Sequence, residues 1–175
     1  MSLTNNIIFI GGIHGVGKGT ICKEIASKTD LIHITASEIL KWNEISSSDN
    51  KLVQNISSTQ ERLIYGLKNF SENDKQYLLD GHFCLLNSNG TPCKIDEETF
   101  DNINPKIISI VIDDIEKIAY RLEKRDNKKY NLKILNELQQ MEIEYAKCIL
   151  SCGMFIFFNL PGESSSVTIN GAKGK

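Results

Sequence analysis

A glycine-rich run is the part of the sequence whose residue types and spacing are best suited to chemistry. Residues 12–20 read Gly-Ile-His-Gly-Val-Gly-Lys-Gly-Thr and closely follow the apolar stretch 7–10. Glycines at 12, 15 and 17 permit backbone dihedral angles closed to other residues, so several N–H groups can point at one anion. Lys18 adds a cation and Thr20 a hydroxyl group. The run therefore predicts a phosphate-binding loop between a strand and a helix.

This loop departs from the usual template at Gly19, where serine or threonine is expected after the lysine. In the template that hydroxyl group binds Mg²⁺, so glycine here indicates an ion held mainly by phosphate oxygens and water. Thr20 then contacts phosphate and contributes only weakly to the metal. The alternative is a glycine-rich turn that binds nothing, which the flanking strand and helix argue against. The predicted nucleotide contacts are Gly12, His14, Gly15, Val16, Gly17, Lys18, Gly19 and Thr20.

A carboxylate, Asp80, ends a second apolar run, 77–79, and Gly81 and His82 follow it. Open α/β sheets assemble their ligand sites at the carboxyl ends of strands. Asp80 is therefore predicted to face the loop and to hold Mg²⁺ through water or to orient a phosphate-bound water. Because Asp-Gly is also a common turn signal, a plain turn aspartate is the alternative. His82 is interpreted as a phosphate ligand, a partner of Asp80 or a structural histidine.

Two arginines, Arg121 and Arg125, stand one helical turn apart, opposite an apolar stripe that includes Ile118 and Leu122. Guanidinium groups offer several fixed donors, which suits the clamping of a transferred phosphate group. Charge runs on helices are commonly just solvated, so a solvated face is the alternative on charge pattern alone.

The elements that must position these residues alternate between apolar runs and helical patterns. Such alternation predicts a mostly parallel sheet covered on both faces. Strands are predicted at 7–10, 31–35, 77–79, 107–112 and 154–159. One helix is predicted from the loop to about residue 29, one from a capping box at Ser58, one capped by Asp113 or Asp114, and one capped by Asn131.

Composition bounds the function of this 175-residue chain. A net charge of −2 gives no support for a nucleic-acid surface, and no apolar run approaches the length of a membrane span. Five cysteines without CxxC pairs favour a reduced, cytoplasmic compartment, and Cys148 and Cys152 favour packing over a metal site.

A single domain is predicted over 1–160, with an acceptor-side excursion at 36–75 and a lid at 121–133. Further irregular segments are predicted at 42–55 and 87–105, with a flexible tail at 161–175.

The loop resembles that of adenylate kinases and related nucleoside monophosphate kinases, and the Asp80-Gly81-His82 string is most similar to their short archaeal-type relatives. Asp113-Asp114 followed by Arg121 and Arg125 resembles the helix that leads into the family's lid. Segment 33–41 resembles the acceptor helix, with Lys41 in place of an arginine; a surface lysine is the alternative. The resemblance implies a P-loop NTPase fold, a three-layer αβα arrangement around a five-stranded, mostly parallel sheet.

The resemblance also implies an ATP-dependent phosphotransferase that moves the γ-phosphoryl group of MgATP to a small acceptor. The acceptor most favoured by the resemblance is a nucleoside monophosphate. Lys18, Arg121, Arg125 and Asp80 are the implied catalytic residues, and Lys41 and His82 the candidate acceptor contacts. One alternative is a kinase of another small metabolite. The other is an ATPase switch that acts on a protein or RNA partner, with 42–55 as its moving element. No membrane partner is expected.

Overall fold

Nine strands and six helices make up the part of the chain that the computed structural model describes, residues 6–40, 52–53, 56–72, 74–149, 154–159 and 167–170. The strands are β1 (Ile7–Gly11), β2 (Ile32–Thr35), β3 (Leu52–Val53), β4 (Tyr77–Asp80), β5 (Cys84–Asn87), β6 (Pro92–Lys94), β7 (Ile107–Ile112), β8 (Met154–Asn159) and β9 (Val167–Asn170). The helices are α1 (Lys18–Lys28), α2 (Ala36–Leu40), α3 (Ile56–Phe70), α4 (Glu97–Ile103), α5 (Ile115–Asp126) and α6 (Leu132–Ile149).

The main sheet has the strand order β2-β4-β1-β7-β8-β9. Its first five strands pair in parallel, which confirms the predicted P-loop fold around five parallel strands. Ile10 and Thr35 both lie level with Asp80 in the register. The carboxyl ends of three neighbouring strands therefore meet at one edge, where parallel sheets place their ligand sites.

The sixth strand, β9, was not predicted. It pairs antiparallel with β8, so the prediction of a flexible tail over 161–175 is wrong for Val167–Asn170. These four residues read Val-Thr-Ile-Asn, and β-branched residues favour a strand where a neighbouring edge supplies hydrogen-bond partners. The domain boundaries themselves stay a prediction.

A second, three-stranded sheet has the order β3-β5-β6. The hairpin of β5 and β6 and the helix α4 occupy the segment 87–105, for which an irregular excursion was predicted. That expectation was wrong because the segment gains its order from long-range packing: Phe100 and Ile103 of α4 are buried in the core. Within 42–55 the described residues are those of β3 alone, and Lys41 lies outside the described residues.

The observed helix boundaries test the helix caps predicted from the sequence. Asp114 caps α5 by accepting from the N–H groups of Glu116 and Lys117, and Asn131 caps α6 in the same way, as predicted. The capping-box prediction at Ser58 is wrong, because α3 begins two residues earlier, at Ile56. The helix that was predicted to lead into a lid ends at Asp126, and α6 starts after a short connection.

Three phenylalanine rings form the centre of the core beneath the carboxyl edge of the sheet. Phe9 of β1 packs edge-on against Phe83 and Phe100, with ring centroids 5.0 and 5.4 Å apart. A Cβ atom on Gly11 would lie 2.1 Å from the Phe83 ring, and one on Gly81 would lie 2.8 Å from the Phe9 ring. The aromatic cluster therefore contacts the chain directly before the phosphate loop and directly after Asp80. None of the described helices has the length and apolar character needed to cross a bilayer.

Replacing Phe100 by alanine tests this cluster. The ring is 3% exposed and joins α4 to β1, so its loss is expected to lower the free energy of unfolding by about 3–5 kcal/mol. Tyr120→Ala is the matched control: this aromatic residue is 66% exposed, and its loss is expected to change stability by no more than about 0.5 kcal/mol. Urea denaturation of both variants measures the difference, and equal stabilities would contradict the assignment of Phe100 to the core.

Candidate functional site

The glycine-rich loop lies between β1 and α1, and two neighbouring elements leave no room for side chains at its glycines. Gly12 has φ +140°, and a Cβ atom there would lie 2.6 Å from the carbonyl oxygen of Val111. Gly15 has φ +77°, and a Cβ atom there would lie 2.6 Å from Leu122 of α5. Left-handed φ values favour glycine, and the close approach excludes larger residues. The loop is therefore held between the end of β7 and the face of α5.

The first turn of α1 is open to an anion. Its N-cap is Gly17, which provides no side-chain hydrogen bond to the helix, and the first turn contains no acidic residue. The first N–H groups of a helix have no partner within the helix, and the helix dipole favours negative charge there. The described loop thus has the backbone features of a phosphate site.

Lys18 places its ammonium group inside the loop. Its Nζ atom donates to the carbonyl oxygens of Gly12 (2.7 Å) and Ile13 (3.2 Å), and the residue is 7% exposed. Burial lowers the pKa of Lys18, whereas the negative charges of Asp80 and Glu142 raise it. The cation is stabilised by carbonyl dipoles and carboxylates instead of water.

Asp80 faces the glycine-rich loop. Its Oδ1 atom lies 3.8 Å from Nζ of Lys18, and its Oδ2 atom lies 3.8 Å from Nε2 of His33. Burial raises the pKa of Asp80, and the positive charges of Lys18 and of a protonated His33 oppose that shift. The two carboxylate oxygens therefore point toward two different partners.

His82 contacts Lys18 directly. Its Nε2 atom lies 3.3 Å from Nζ of Lys18, and its ring centroid is 4.1 Å from that of His14. Desolvation lowers the pKa of His82 well below the ordinary value, and the charges of Lys18 and His14 add to the shift. Because an ammonium group can only donate, Nε2 of His82 accepts, which requires a neutral ring with its proton on Nδ1. The contacts described for His82 thus join it to Lys18 and His14.

Arg121 ties α5 to the loop. Its Nε atom donates to the carbonyl oxygen of Gly15 (2.8 Å), and Nη2 donates to Oδ2 of Asp113 (2.7 Å). The Asp113 carboxylate is itself 5% exposed, so the pair is buried on its acidic side. A purely solvated face does not describe this residue.

Arg125 forms a bidentate pair with its neighbour Asp126, with both N–O distances 2.7 Å. The hydroxyl group of Tyr130 donates to the same carboxylate. Hydrogen bonding to Asp126 raises the pKa of Arg125. The second arginine is therefore oriented by a local carboxylate at the edge of the cleft.

These groups line one cleft of about 690 Å³. Its charged walls carry the four cations Lys18, Lys23, Arg121 and Arg125 against the single carboxylate of Asp80, among the residues that the structure describes. An excess of cations suits a polyphosphate group. The cleft is lined by ten of the predicted site residues: His14, Gly15, Gly17, Lys18, Gly19, Thr20, Asp80, His82, Arg121 and Arg125. Gly12 supplies a carbonyl oxygen to Lys18, and the side chain of Val16 is buried beneath the loop.

Sequence reasoning missed Glu142 of α6, which lies behind the loop. It is fully buried, and its Oε1 atom accepts from the N–H groups of Phe83 (2.9 Å) and Cys84 (3.0 Å), just after His82. Burial raises the pKa of Glu142 to about 7, and the hydrogen bond from Cys84 and the charge of Lys18 oppose that shift. A signal exists in the sequence: Glu142 continues the apolar stripe of Leu135 and Leu138, where a carboxylate is unexpected.

The chain is similar to known proteins over much of its length. A family model described as an AAA domain matches residues 11–139. A curated protein named adenylate kinase, from Mycoplasma mobile, is 32% identical over 97 residues, which cover 49% of this chain and 43% of that protein. The chain thus matches less than half the length of this relative.

Two solved structures share the fold. A sugar kinase from Janibacter sp. HTCC2649 superposes with a TM-score of 0.58 and 12% identity, over 91% of this chain and 88% of that one. Shikimate kinase from Acinetobacter baumannii, in complex with shikimate, gives a TM-score of 0.54 and 12% identity, over 93% and 86% of the two chains. At such identity the likeness shows a common architecture.

The buried carboxyl group of Glu142 predicts a pH-dependent stability. Its pKa is higher in the folded chain (about 7) than the ordinary value of 4.5, so the folded state binds the proton more tightly. The stability that this proton confers is complete at low pH and is lost as the pH rises through about 7. Relative to Glu142→Gln, the wild-type free energy of unfolding should therefore fall by roughly 2–3 kcal/mol between about pH 5 and pH 8.

Urea denaturation at several pH values measures that difference. Glutamine retains an oxygen that can accept from Phe83 and Cys84 but does not titrate, so other titrating groups cancel in the comparison. Glu144→Gln, at an exposed glutamate on the same helix, is the control and should track the wild type. A difference between wild type and Glu142→Gln that is independent of pH would contradict the buried carboxyl group.

Proposed function

The chain is an adenylate kinase-like P-loop protein that belongs to the AAA domain family, and we propose that it transfers the γ-phosphoryl group of ATP to a nucleoside monophosphate. The proposal rests on one observation above all, the buried Lys18 ammonium group in a cation-lined cleft at the carboxyl edge of the sheet. A site of this charge suits the polyphosphate of a nucleotide, and the cleft has room for a second small molecule beside it.

In this proposal the chain acts by positioning and electrostatics. The N–H groups of the loop and of the first turn of α1 hold the β- and γ-phosphates, and Lys18 exchanges its carbonyl partners for phosphate oxygens. Arg121 keeps the loop in place through Gly15 and presents its remaining donors to the cleft. Arg125 contacts the transferred group after leaving Asp126. No side-chain nucleophile is needed, since the acceptor phosphate attacks directly.

The oxygen donors near the loop are compatible with Mg²⁺. Asp80 and Thr20 both line the cleft and offer a carboxylate and a hydroxyl group, the hard ligands that Mg²⁺ prefers. Gly19 lies beside this carboxylate, since a Cβ atom there would lie 3.7 Å from Oδ2. When bound, Mg²⁺ supplies neutralisation of phosphate charge; Asp80 would hold it through water and Thr20 would contribute weakly.

A second candidate function is a kinase of another small metabolite that bears a hydroxyl group. The acceptor-side wall of the cleft presents Thr35, Ala36 and Ser37, and the hydroxyl groups of Thr35 and Ser37 lie 3.0 Å apart. Neutral hydroxyl groups suit a polyol or hydroxy acid as well as a ribose. The predicted acceptor contact Lys41 follows this wall in the sequence, and the proposal includes it as the group that favours a monophosphate.

A product assay decides between these acceptors. The full chain is incubated with ATP, Mg²⁺ and one of AMP, CMP, GMP, UMP or dTMP, beside a control without acceptor. Diphosphate formation that depends on one monophosphate is the expected result. Phosphorylation of polyols or hydroxy acids instead would support the second candidate. ATP hydrolysis that needs no acceptor and rises with a protein or RNA partner would contradict both and indicate a switch protein.

Lys18→Ala is expected to lower turnover by about 10²–10³-fold or more, because the developing charge on the transferred group loses its buried cation. Circular dichroism should show a folded chain. Lys28→Ala, at an exposed lysine paired with Glu24 at the far end of the same helix, is the control and should retain wild-type kcat. Unchanged turnover in Lys18→Ala would refute the loop mechanism.

Arg125→Ala is expected to slow transfer by at least about tenfold while ATP affinity changes less, since the guanidinium group acts on the transferred group. Lys124→Ala removes a neighbouring exposed cation of α5 and serves as the charge-matched control. Single-turnover kinetics and equilibrium ATP binding separate the two effects. If Arg125→Ala transfers phosphate as fast as Lys124→Ala, the end of α5 is a solvated face.

A further inference from the structure

Asp80 also belongs to a second cluster of side chains, which includes sulfur and nitrogen donors. The thiol of Cys22, the imidazole of His33 and the carboxylate of Asp80 come from α1, β2 and β4, and their ligating atoms all lie within 4.8 Å of one another. We propose that these three side chains form a binding site for a borderline transition-metal ion such as Zn²⁺, distinct from any Mg²⁺ that accompanies the nucleotide.

The orientation of Asp80 separates the two positions. Its Oδ1 atom lies 3.8 Å from Nζ of Lys18, whereas its Oδ2 atom lies 3.8 Å from Nε2 of His33. Cys22 is fully buried one turn beyond Lys18 on α1, so its thiol approaches the same side. One carboxylate oxygen is therefore directed to the loop and the other to the Cys22–His33 pair.

A buried nitrogen atom that makes no hydrogen bond supports the site. Nε2 of His33 is buried and has no hydrogen-bond partner in the described structure; the 3.8 Å to Asp80 is beyond hydrogen-bond reach. A buried polar atom without a partner costs free energy, and the imidazole of histidine is the commonest metal ligand in proteins. An ion between Nε2 and Oδ2 would satisfy both atoms.

The donor set itself selects the class of metal. Thiolate and imidazole ligands favour Zn²⁺ and similar ions, whereas Mg²⁺ requires oxygen ligands in octahedral geometry. Three protein ligands with one open position are the arrangement of zinc sites that exchange their fourth ligand. Zn²⁺ ligands lie about 2.0–2.3 Å from the ion, so the three side chains must draw slightly closer. On binding, the Cys22 thiol releases its proton to solvent and binds as thiolate.

Sharing Asp80 couples the new site to the cleft. An ion on Oδ2 withdraws negative charge from the carboxylate that compensates Lys18 and that is proposed to hold hydrated Mg²⁺. Zn²⁺ should therefore inhibit the phosphotransfer proposed above. This consequence rests on the proposed function, whereas metal binding itself does not.

Cobalt titration of the nucleotide-free full chain tests the site by a readout that needs no activity. Co²⁺ replaces Zn²⁺ in such sites, and a thiolate ligand gives a charge-transfer absorption band in the near ultraviolet. One Co²⁺ per chain with this band, displaced by Zn²⁺, is the expected result. Cys22→Ser should abolish the band, and His33→Gln should weaken Co²⁺ binding at least tenfold.

Cys148→Ser is the matched control, because it removes an exposed thiol elsewhere on the chain and should leave the band unchanged. A band that persists in Cys22→Ser, or that is lost in Cys148→Ser, overturns the proposal, as does the absence of Co²⁺ binding by the wild type. Circular dichroism verifies folding of each variant. Should Cys22→Ser not fold, His33→Gln decides alone: unchanged Co²⁺ affinity overturns the site, whatever the outcome of the kinase assay.

Discussion

The buried ammonium group of Lys18 is the constraint on which the rest of the site depends. A desolvated charge is costly unless dipoles and opposite charges replace its water. Here the carbonyl oxygens of Gly12 and Ile13, the acceptor nitrogen of His82 and the carboxylate of Asp80 do so at 2.7–3.8 Å. The loop, the end of β4 and the turn after it must therefore stay in register with one another.

Four features of the fold maintain that register. The parallel pairing of β1 with β4 sets Ile10 level with Asp80, and the phenylalanine cluster fills the space beneath both chain segments. From behind, Glu142 holds the backbone of Phe83 and Cys84 with a single buried oxygen. From above, α5 packs on Gly15 through Leu122. The cleft is thus bounded by packed elements on the side where phosphate would bind, which suits catalysis by positioning.

Asp80 interacts with several charged groups at once. It compensates Lys18 through one oxygen and approaches His33 through the other, and burial favours its protonated form while neighbouring cations oppose this. Because Asp80 contacts both Lys18 and His33, an ion bound near His33 would change the charge that Lys18 experiences. The proposed Zn²⁺ site and the proposed phosphotransfer site would therefore be linked through one side chain.

The glycine-rich loop and the five parallel strands could be predicted from the sequence, because glycine spacing and apolar runs are local signals that depend on neighbouring residues. The caps at Asp114 and Asn131 were equally local. Tertiary structure alone decided the partners of Arg121, the buried position of Glu142 and the meeting of Cys22 with His33, since these contacts join separate helices and strands. The ordering of β9 and of the β5–β6 hairpin likewise depends on pairing between strands. Such contacts leave little trace in the local pattern, so they could not be predicted from it.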